Sequence, residues 1–157
     1  MYRTFGLVST LAFVLALAAG CDGGGAKSSA GGTTKFGQSG RKIVADGMTA
    51  LPSGLRYREV QAGTGRSPTA EQIVEVHYRG CFEDGKDFDS SYQRGSTTSF
   101  PVNRVIKGWT EALQLMKEGA KWELCIPPAI AYGDMGMPPV IPPKTTLYFE
   151  VELIKVK

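Results

Sequence analysis

The side chains that could do chemistry in this 157-residue chain are mainly aromatic, and they lie in short motifs between residues 78 and 149. Near them are a single aspartate, Asp89, and a loop at residues 127–143 that holds six of the nine prolines in three Pro-Pro pairs. An apolar hollow with one or two polar groups is the usual form of a small-ligand site. We therefore predict an aromatic pocket, drawn from Tyr78, Phe82, Phe88, Tyr92, Phe100, Trp109, Tyr132, Tyr148 and Phe149.

Several classes of site lack the residues they need. One histidine, His77, and three cysteines are too few for a usual zinc site unless carboxylates complete the ligand set. A histidine-dependent triad would have to be built on His77, which alternates with core residues of a predicted strand and is expected to be solvated or structural. With 18 basic and 15 acidic residues the net charge is +3, which gives no indication of nucleic-acid binding. The sequence therefore predicts no metal, no cofactor and no nucleic-acid partner.

Apolar periodicity from residue 51 onward predicts mainly strands. Trp109, Ala112, Leu113 and Met116 recur at the spacing of one helix face, and Gly119 stands where that helix would stop. One helix of about 8–10 residues cannot cover both faces of a sheet. The expected fold is therefore α+β, an antiparallel, strongly curved sheet of about five strands wrapped around one short α-helix. Period-two alternation places the strands near residues 55–60, 73–78, 86–90, 122–126 and 147–153.

Six motifs follow one another in this domain: Val76-His77-Tyr78-x-Gly80, Asp84-Gly85-Lys86-x-Phe88-Asp89-Ser90-Ser91, Val105-Ile106-x-Gly108-Trp109, Ile126-Pro127-Pro128, Ala131-Tyr132-Gly133 and Ile141-Pro142-Pro143-x-Thr145-x-Leu147-x-Phe149-x-Val151-x-Leu153. In this order and spacing they resemble the FKBP-type peptidyl-prolyl cis–trans isomerases over about residues 51–157. The run Phe100–Ile106 is most similar to the bacterial exported members.

The resemblance implies a role for each of eleven pocket residues. Trp109 would be the floor under a substrate proline ring, and Asp89 would bond Tyr78 or the ligand at the edge. The Tyr132 hydroxyl and the Ile106 backbone N–H would bond the substrate main chain. The implied catalytic residues are Tyr78, Phe88, Asp89, Trp109, Tyr132 and Phe149, and the implied substrate-binding residues are Phe100, Val105, Ile106, Val140 and Ile141.

The implied activity is isomerisation of X-Pro bonds during the folding of exported proteins. Proline-containing polypeptides would be the partners, and macrolides of the FK506 class would be inhibitors. A non-catalytic chaperone or docking module using the same groove is the alternative. Three positions depart from common family patterns: Thr98 replaces an aromatic residue, Met137 a histidine and Pro139 a glycine. These departures affect the lip of the pocket, where peptide preference and drug affinity are decided.

The first 20 residues are typical of an export leader. Met1-Tyr2-Arg3 is a basic start, and the apolar run at residues 7–19 is too short for a membrane-spanning helix, which needs about 20 residues. Leu17-Ala18-Ala19-Gly20-Cys21 resembles a bacterial lipoprotein cleavage site, although Ala18 stands where leucine is most common. An ordinary signal peptide cut near Ala18 or Gly20 is the alternative.

Three regions follow from the lipoprotein interpretation. Residues 1–20 would be a removed signal peptide, residues 21–50 a lipidated Cys21 with a flexible Gly/Ser-rich stalk, and residues 51–157 the isomerase domain. The expected location is the bacterial cell envelope, with the lipid on Cys21 in a membrane and the domain in the periplasm. The choice between inner and outer membrane stays open. A Gly-rich stalk cannot form the long helix of the dimeric infectivity potentiators, so we expect a monomer.

Cys81 and Cys125 would lie in an oxidising compartment, where disulfides persist. A disulfide needs Cα atoms within about 7 Å of each other. Strand alternation alone does not decide whether these two cysteines meet that condition, so both states remain open.

Overall fold

One seven-stranded sheet organises residues 35–157, the part of the chain that this computed structural model describes. Every strand pair in it is antiparallel. In chain order the elements are β1 (Thr49–Ala50), β2 (Arg56–Gln61), β3 (Ile73–Cys81), β4 (Asp87–Ser90), α1 (Ser91–Arg94), β5 (Thr98–Pro101), α2 (Lys107–Leu115), β6 (Lys121–Ile126) and β7 (Leu147–Val156).

The strand order is β1-β2-β6-β7-β3-β4, with β5 also paired to β3. All five strands expected from the sequence are present, and the two-residue β1 and the four-residue β5 are additions. Register shifts between Glu59 and Gln61, Glu75 and Val76, and Gly80 and Cys81 interrupt three ladders. Such bulges bend strands and increase their twist. The predicted α+β class, a curved antiparallel sheet with few helices, is confirmed.

Helix α2 packs on one face of this sheet. The four side chains of its expected stripe are each at most 4% exposed: Trp109, Ala112, Leu113 and Met116. The helix ends at Leu115, and the backbone of Met116 is already extended at ψ 158° while its N–H still bonds the Ala112 carbonyl. The helix therefore ends four residues before Gly119, which instead takes a left-handed φ of +87° in the turn that leads into β6.

Residues 35–48, which we call the strap, lie on the opposite face of the sheet. Ile43 is 1% exposed in a second cluster with Cys81, Cys125 and Tyr148, and the Gly37 N–H donates to the Glu150 carboxylate at 2.8 Å. The expectation that the flexible stalk extends to residue 50 is therefore wrong for residues 35–50. Both the apolar contacts of Ile43 and the ion pairs of Arg41 hold the strap, and the Gly-rich composition of the stalk indicated neither. The signal peptide, Cys21 and the first part of the stalk lie outside the described residues.

A row of charges crosses the outer face beneath the strap. Register places Arg58 opposite Glu123, Glu123 opposite Glu150, and Glu150 opposite Arg79. Both glutamates are at most 1% exposed, and like charges on neighbouring strands destabilise a sheet. Arg41 of the strap pairs with both carboxylates, supplying positive charge where two negative charges adjoin.

Cys81 and Cys125 are both free and buried. Each lies opposite Tyr148, Cys125 from β6 and Cys81 from β3, on the two sides of β7. Since neighbouring strands are about 4.8 Å apart, the two cysteines are separated by roughly 10 Å, beyond disulfide reach. No helix within residues 35–157 has the length and apolar character needed to cross a membrane.

Candidate functional site

A cavity of about 650 Å³ opens where the first turn of α2 meets β3, β4, β5 and β7. The loop between β6 and β7 forms its remaining side. All eleven site residues expected from the motifs line this cavity, together with two further residues, Arg104 and Met137. The full lining is Tyr78, Phe88, Asp89, Phe100, Arg104, Val105, Ile106, Trp109, Tyr132, Met137, Val140, Ile141 and Phe149.

Trp109 is the centre of an aromatic box. Its indole meets Tyr78 and Phe149 edge-on, each with ring centroids 5.3 Å apart, and Phe100 at 5.8 Å. Phe88 in turn stands at 89° to Phe149, 5.5 Å away. Edge-to-face contacts of this kind favour the pairs beyond their burial alone and hold the rings in fixed orientations. The indole Nε1 is buried without a hydrogen-bond partner in the described part of the chain.

A polar group of three side chains stands at one edge of the box. The Tyr78 hydroxyl donates to Asp89, and Arg94 bonds Asp89 and the Tyr78 hydroxyl, the latter at 2.9 Å. Burial, reinforced by the bond to Asp89, raises the pKa of Tyr78 above its ordinary value, so the hydroxyl keeps its proton. Arg94 thus holds both the carboxylate and the phenol in place.

The loop over the opposite edge carries Tyr132, Val140 and Ile141. It is tied down by an antiparallel bridge between Met137 and Ile141 and by the Gly136 N–H, which donates to the Tyr132 carbonyl at 3.1 Å. Ile141 is 2% exposed, whereas Val140 is 46% exposed and stands at the mouth. Burial raises the pKa of Tyr132, so its hydroxyl is a neutral donor facing an apolar space.

The wall formed by Phe88 and Phe149 lies against the backbone of Gly80. A Cβ placed on Gly80 would lie 2.5 Å from Phe88 Cζ and 2.9 Å from Phe149 Cε1, closer than carbon atoms approach. The glycine of the Val76–Gly80 motif is therefore what allows both rings to reach their positions.

Three aromatic residues of the expected pocket set do not line the cavity. Phe82 packs behind Phe88 at 5.1 Å, Tyr92 stacks on His77 at 4.7 Å, and Tyr148 lies on the outer face. The His77 Nδ1 is 2.9 Å from the Ser91 hydroxyl. His77 is thus held in a hydrogen bond and a stack outside the pocket, in agreement with its expected structural role.

Arg94 and Arg104 are site residues that the sequence argument missed. Arg94 lies in the four-residue α1, which begins at the Ser90 cap and ends at left-handed Gly95, too short for periodicity to show. Arg104 lies in the run Phe100–Ile106 and is the one charged residue of that run, a signal that could have identified it. Among residues 35–157, no group of three or more potential metal ligands is gathered together.

Comparisons with known proteins agree with this geometry. Residues 64–154 match the family described as FKBP-type peptidyl-prolyl cis-trans isomerase. The peptidyl-prolyl cis-trans isomerase Mip of Coxiella burnetii is 51% identical over 111 residues, 71% of this chain and 48% of that protein. The outer membrane protein MIP of Legionella longbeachae is 46% identical over 71% of this chain and 48% of its own length.

The crystal structure of FkpA from Escherichia coli superposes with a TM-score of 0.69 at 48% identity, covering 71% of this chain and 52% of that one. The chain thus spans about half the length of these relatives. Because the family match covers more than half of the chain and includes every residue that lines the pocket, the chain belongs to the FKBP-type peptidyl-prolyl cis–trans isomerase family.

Proposed function

We propose that the domain accelerates the cis–trans isomerisation of X-Pro bonds in polypeptides. The observation that carries this proposal is the apolar pocket around Trp109, in which all eleven expected side chains meet. The Coxiella relative is itself named a peptidyl-prolyl cis-trans isomerase. That name favours turnover over the alternative of a groove that only holds its partner.

The reaction needs neither a nucleophile nor a proton transfer. An amide rotates over a barrier of about 18–20 kcal/mol because its resonance must be broken, and X-Pro isomerisation takes tens to hundreds of seconds unaided. In the twisted transition state the carbonyl has lost conjugation and carries less charge, so it depends less on water. A pocket with aromatic walls binds that state better than the planar ground state, which is catalysis by differential binding.

The described geometry supports a division of roles among the pocket residues. The Trp109 floor and the Phe88 and Phe149 wall would hold the proline ring while the bond turns. The Tyr132 hydroxyl and the Ile106 N–H would fix the flanking peptide, and that N–H makes no hydrogen bond within residues 35–157. Val105 and Phe100 would complete the wall. Val140 and Ile141 would cover the site from the loop.

A protease-coupled assay on a proline tetrapeptide tests the proposal. The wild-type chain should accelerate isomerisation, and the Trp109→Ala and Phe88→Ala variants should lose most of that acceleration. Circular dichroism confirms that each variant is folded. Tyr57→Leu is the matched control, because Tyr57 stacks on Trp122 at 4.3 Å and does not line the pocket. Wild-type activity no higher than that of a folded Phe88→Ala variant would refute the proposal.

The clients would be exported polypeptides that contain proline, and macrolides of the FK506 class would compete for the pocket. Support for an envelope location comes from the leader-like residues 1–20 and from the Legionella relative, which is named an outer membrane protein. The domain would act in the periplasm as a monomer, attached to a membrane through lipid on Cys21. Labelling cells with an alkynyl fatty acid tests the anchor: wild-type chain should be labelled and Cys21→Ser should not.

A further inference from the structure

The lining of the pocket contains two charged side chains, Asp89 and Arg104. Both oxygens of the Asp89 carboxylate are engaged, one by the Tyr78 hydroxyl and the other by Arg94. The guanidinium of Arg94 therefore offsets the negative charge of Asp89 at that edge.

Arg104 has no such partner. It is exposed, it ends the short 3-10 helix Val102–Arg104, and its guanidinium makes no hydrogen bond or ion pair within residues 35–157. Arginine carries five donors in a planar fork that matches a carboxylate. The rim of the pocket thus carries one positive charge without a partner, on the residue that precedes Val105 and Ile106 in the sequence.

A peptide whose proline lies on Trp109 must leave the pocket across its rim, where Arg104 stands. A carboxylate on a residue next to the proline would form a charge-assisted bond with the free guanidinium. Because Arg104 is exposed, water weakens this bond. A lysine in the same place would meet a like charge.

We propose that Arg104 is a specificity-determining residue that favours substrates with Glu or Asp directly before or directly after the proline. This proposal rests on the isomerase function proposed above. It names the substrate class that this particular rim selects. The contact at an exposed rim should change kcat/KM by about 1.5- to fivefold between otherwise equal peptides.

A protease-free isomerisation assay with N-acetylated fluorogenic peptides tests the proposal without a charged blocking group. Two peptide sets place Leu, Gln, Glu or Lys before the proline or after it. In at least one set the wild-type order should be Glu above Gln above Lys, and the Glu-to-Gln ratio should shrink as salt is raised. Arg104→Glu should reverse the order of Glu and Lys.

Lys107→Glu is the matched control, because it makes the same charge change on an exposed residue three positions away that does not line the pocket. It should keep the wild-type preference for Glu. Equal Glu-to-Lys ratios in wild type and Arg104→Glu, with the Leu peptide still turned over, would overturn the role of Arg104 and leave the isomerase function standing. If Lys107→Glu reversed the order of the Glu and Lys peptides equally, the role of Arg104 would also be overturned. The preference would then depend on the net charge of this part of the surface and not on a contact with Arg104. Failure to accelerate even the Leu peptides would instead refute the isomerase function itself.

Discussion

Gly80→Ala should damage the pocket by moving its wall. Gly80 lies in strand β3 with an ordinary backbone conformation, so alanine meets no backbone strain there. The added methyl would lie 2.5 and 2.6 Å from two carbons of the Phe88 ring and 2.9 Å from Phe149 Cε1. Carbon atoms in contact prefer about 3.5–4.0 Å, so the rings must withdraw by about 1 Å, and the space they can move into is the pocket.

The size of the effect follows from this displacement. Overpacking of a well-filled core costs about 1–3 kcal/mol of unfolding free energy. A misplacement of about 1 Å can cost as much as 10²-fold in rate, and we expect kcat/KM to fall by about 10- to 100-fold. Alanine in place of glycine within a strand would otherwise stabilise the fold by about 0.5–1 kcal/mol through chain entropy. The clash with the two rings should instead lower the free energy of unfolding.

A double-mutant cycle isolates the clash. Urea unfolding and the isomerisation assay are measured for Gly80→Ala in the wild-type and the Phe88→Ala backgrounds. Because Phe88→Ala removes the nearest ring, the added methyl should cost distinctly less free energy in that background. A Gly80→Ala variant with wild-type activity and stability would refute the reasoning. An equal cost in both backgrounds would show that Phe88 is not what the methyl strikes.

Three further predictions concern charge and protonation. Arg41→Ala should lower the unfolding free energy in urea by about 1–3 kcal/mol, because the buried Glu123 and Glu150 lose the cation they share while each keeps one other arginine, and an unchanged midpoint would contradict this. Burial raises the pKa of Cys81 to about 11 from an ordinary 9. The neutral thiol therefore makes its full contribution to the free energy of unfolding below pH 9, and this contribution is lost as the pH rises to 11. The fall in melting temperature over that window should be smaller in Cys81→Ala. Arg94→Ala should lower kcat/KM about three- to tenfold with little change in melting temperature, because Arg94 is exposed but positions the pocket-edge carboxylate, and a matched loss of stability would indicate a structural role instead.

The fold and the floor of the pocket could be predicted because their signals are local. The apolar side chains of α2 recur with the helical period, and those of β3 and β7 alternate with a period of two, because one face of each element is buried. Trp109 and Val76 are examples, and both are buried in the structure. Neither signal exists for Arg94. Arg94 lies in a helix of four residues that begins after the Ser90 cap and ends at Gly95. Its partners Tyr78 and Asp89 lie on β3 and β4, which come together only when these two strands pair.

The strap could not be predicted for a different reason: the two faces of the sheet are covered by different kinds of side chain. The inner face is covered by apolar side chains, so its partner α2 carries an apolar stripe that a sequence shows. The outer face carries the cross-strand row of Arg58, Glu123, Glu150 and Arg79, and the adjoining glutamates attract a cation rather than an apolar stripe. Arg41 supplies that cation from the strap, in which three glycines, one serine and two lysines are mixed with apolar residues such as Ile43. A segment recruited by charge can therefore be structural while carrying no periodic signal. The pocket lies on the opposite side of the sheet, and no residue of the strap lines it. We therefore expect the strap to contribute to stability and not to turnover.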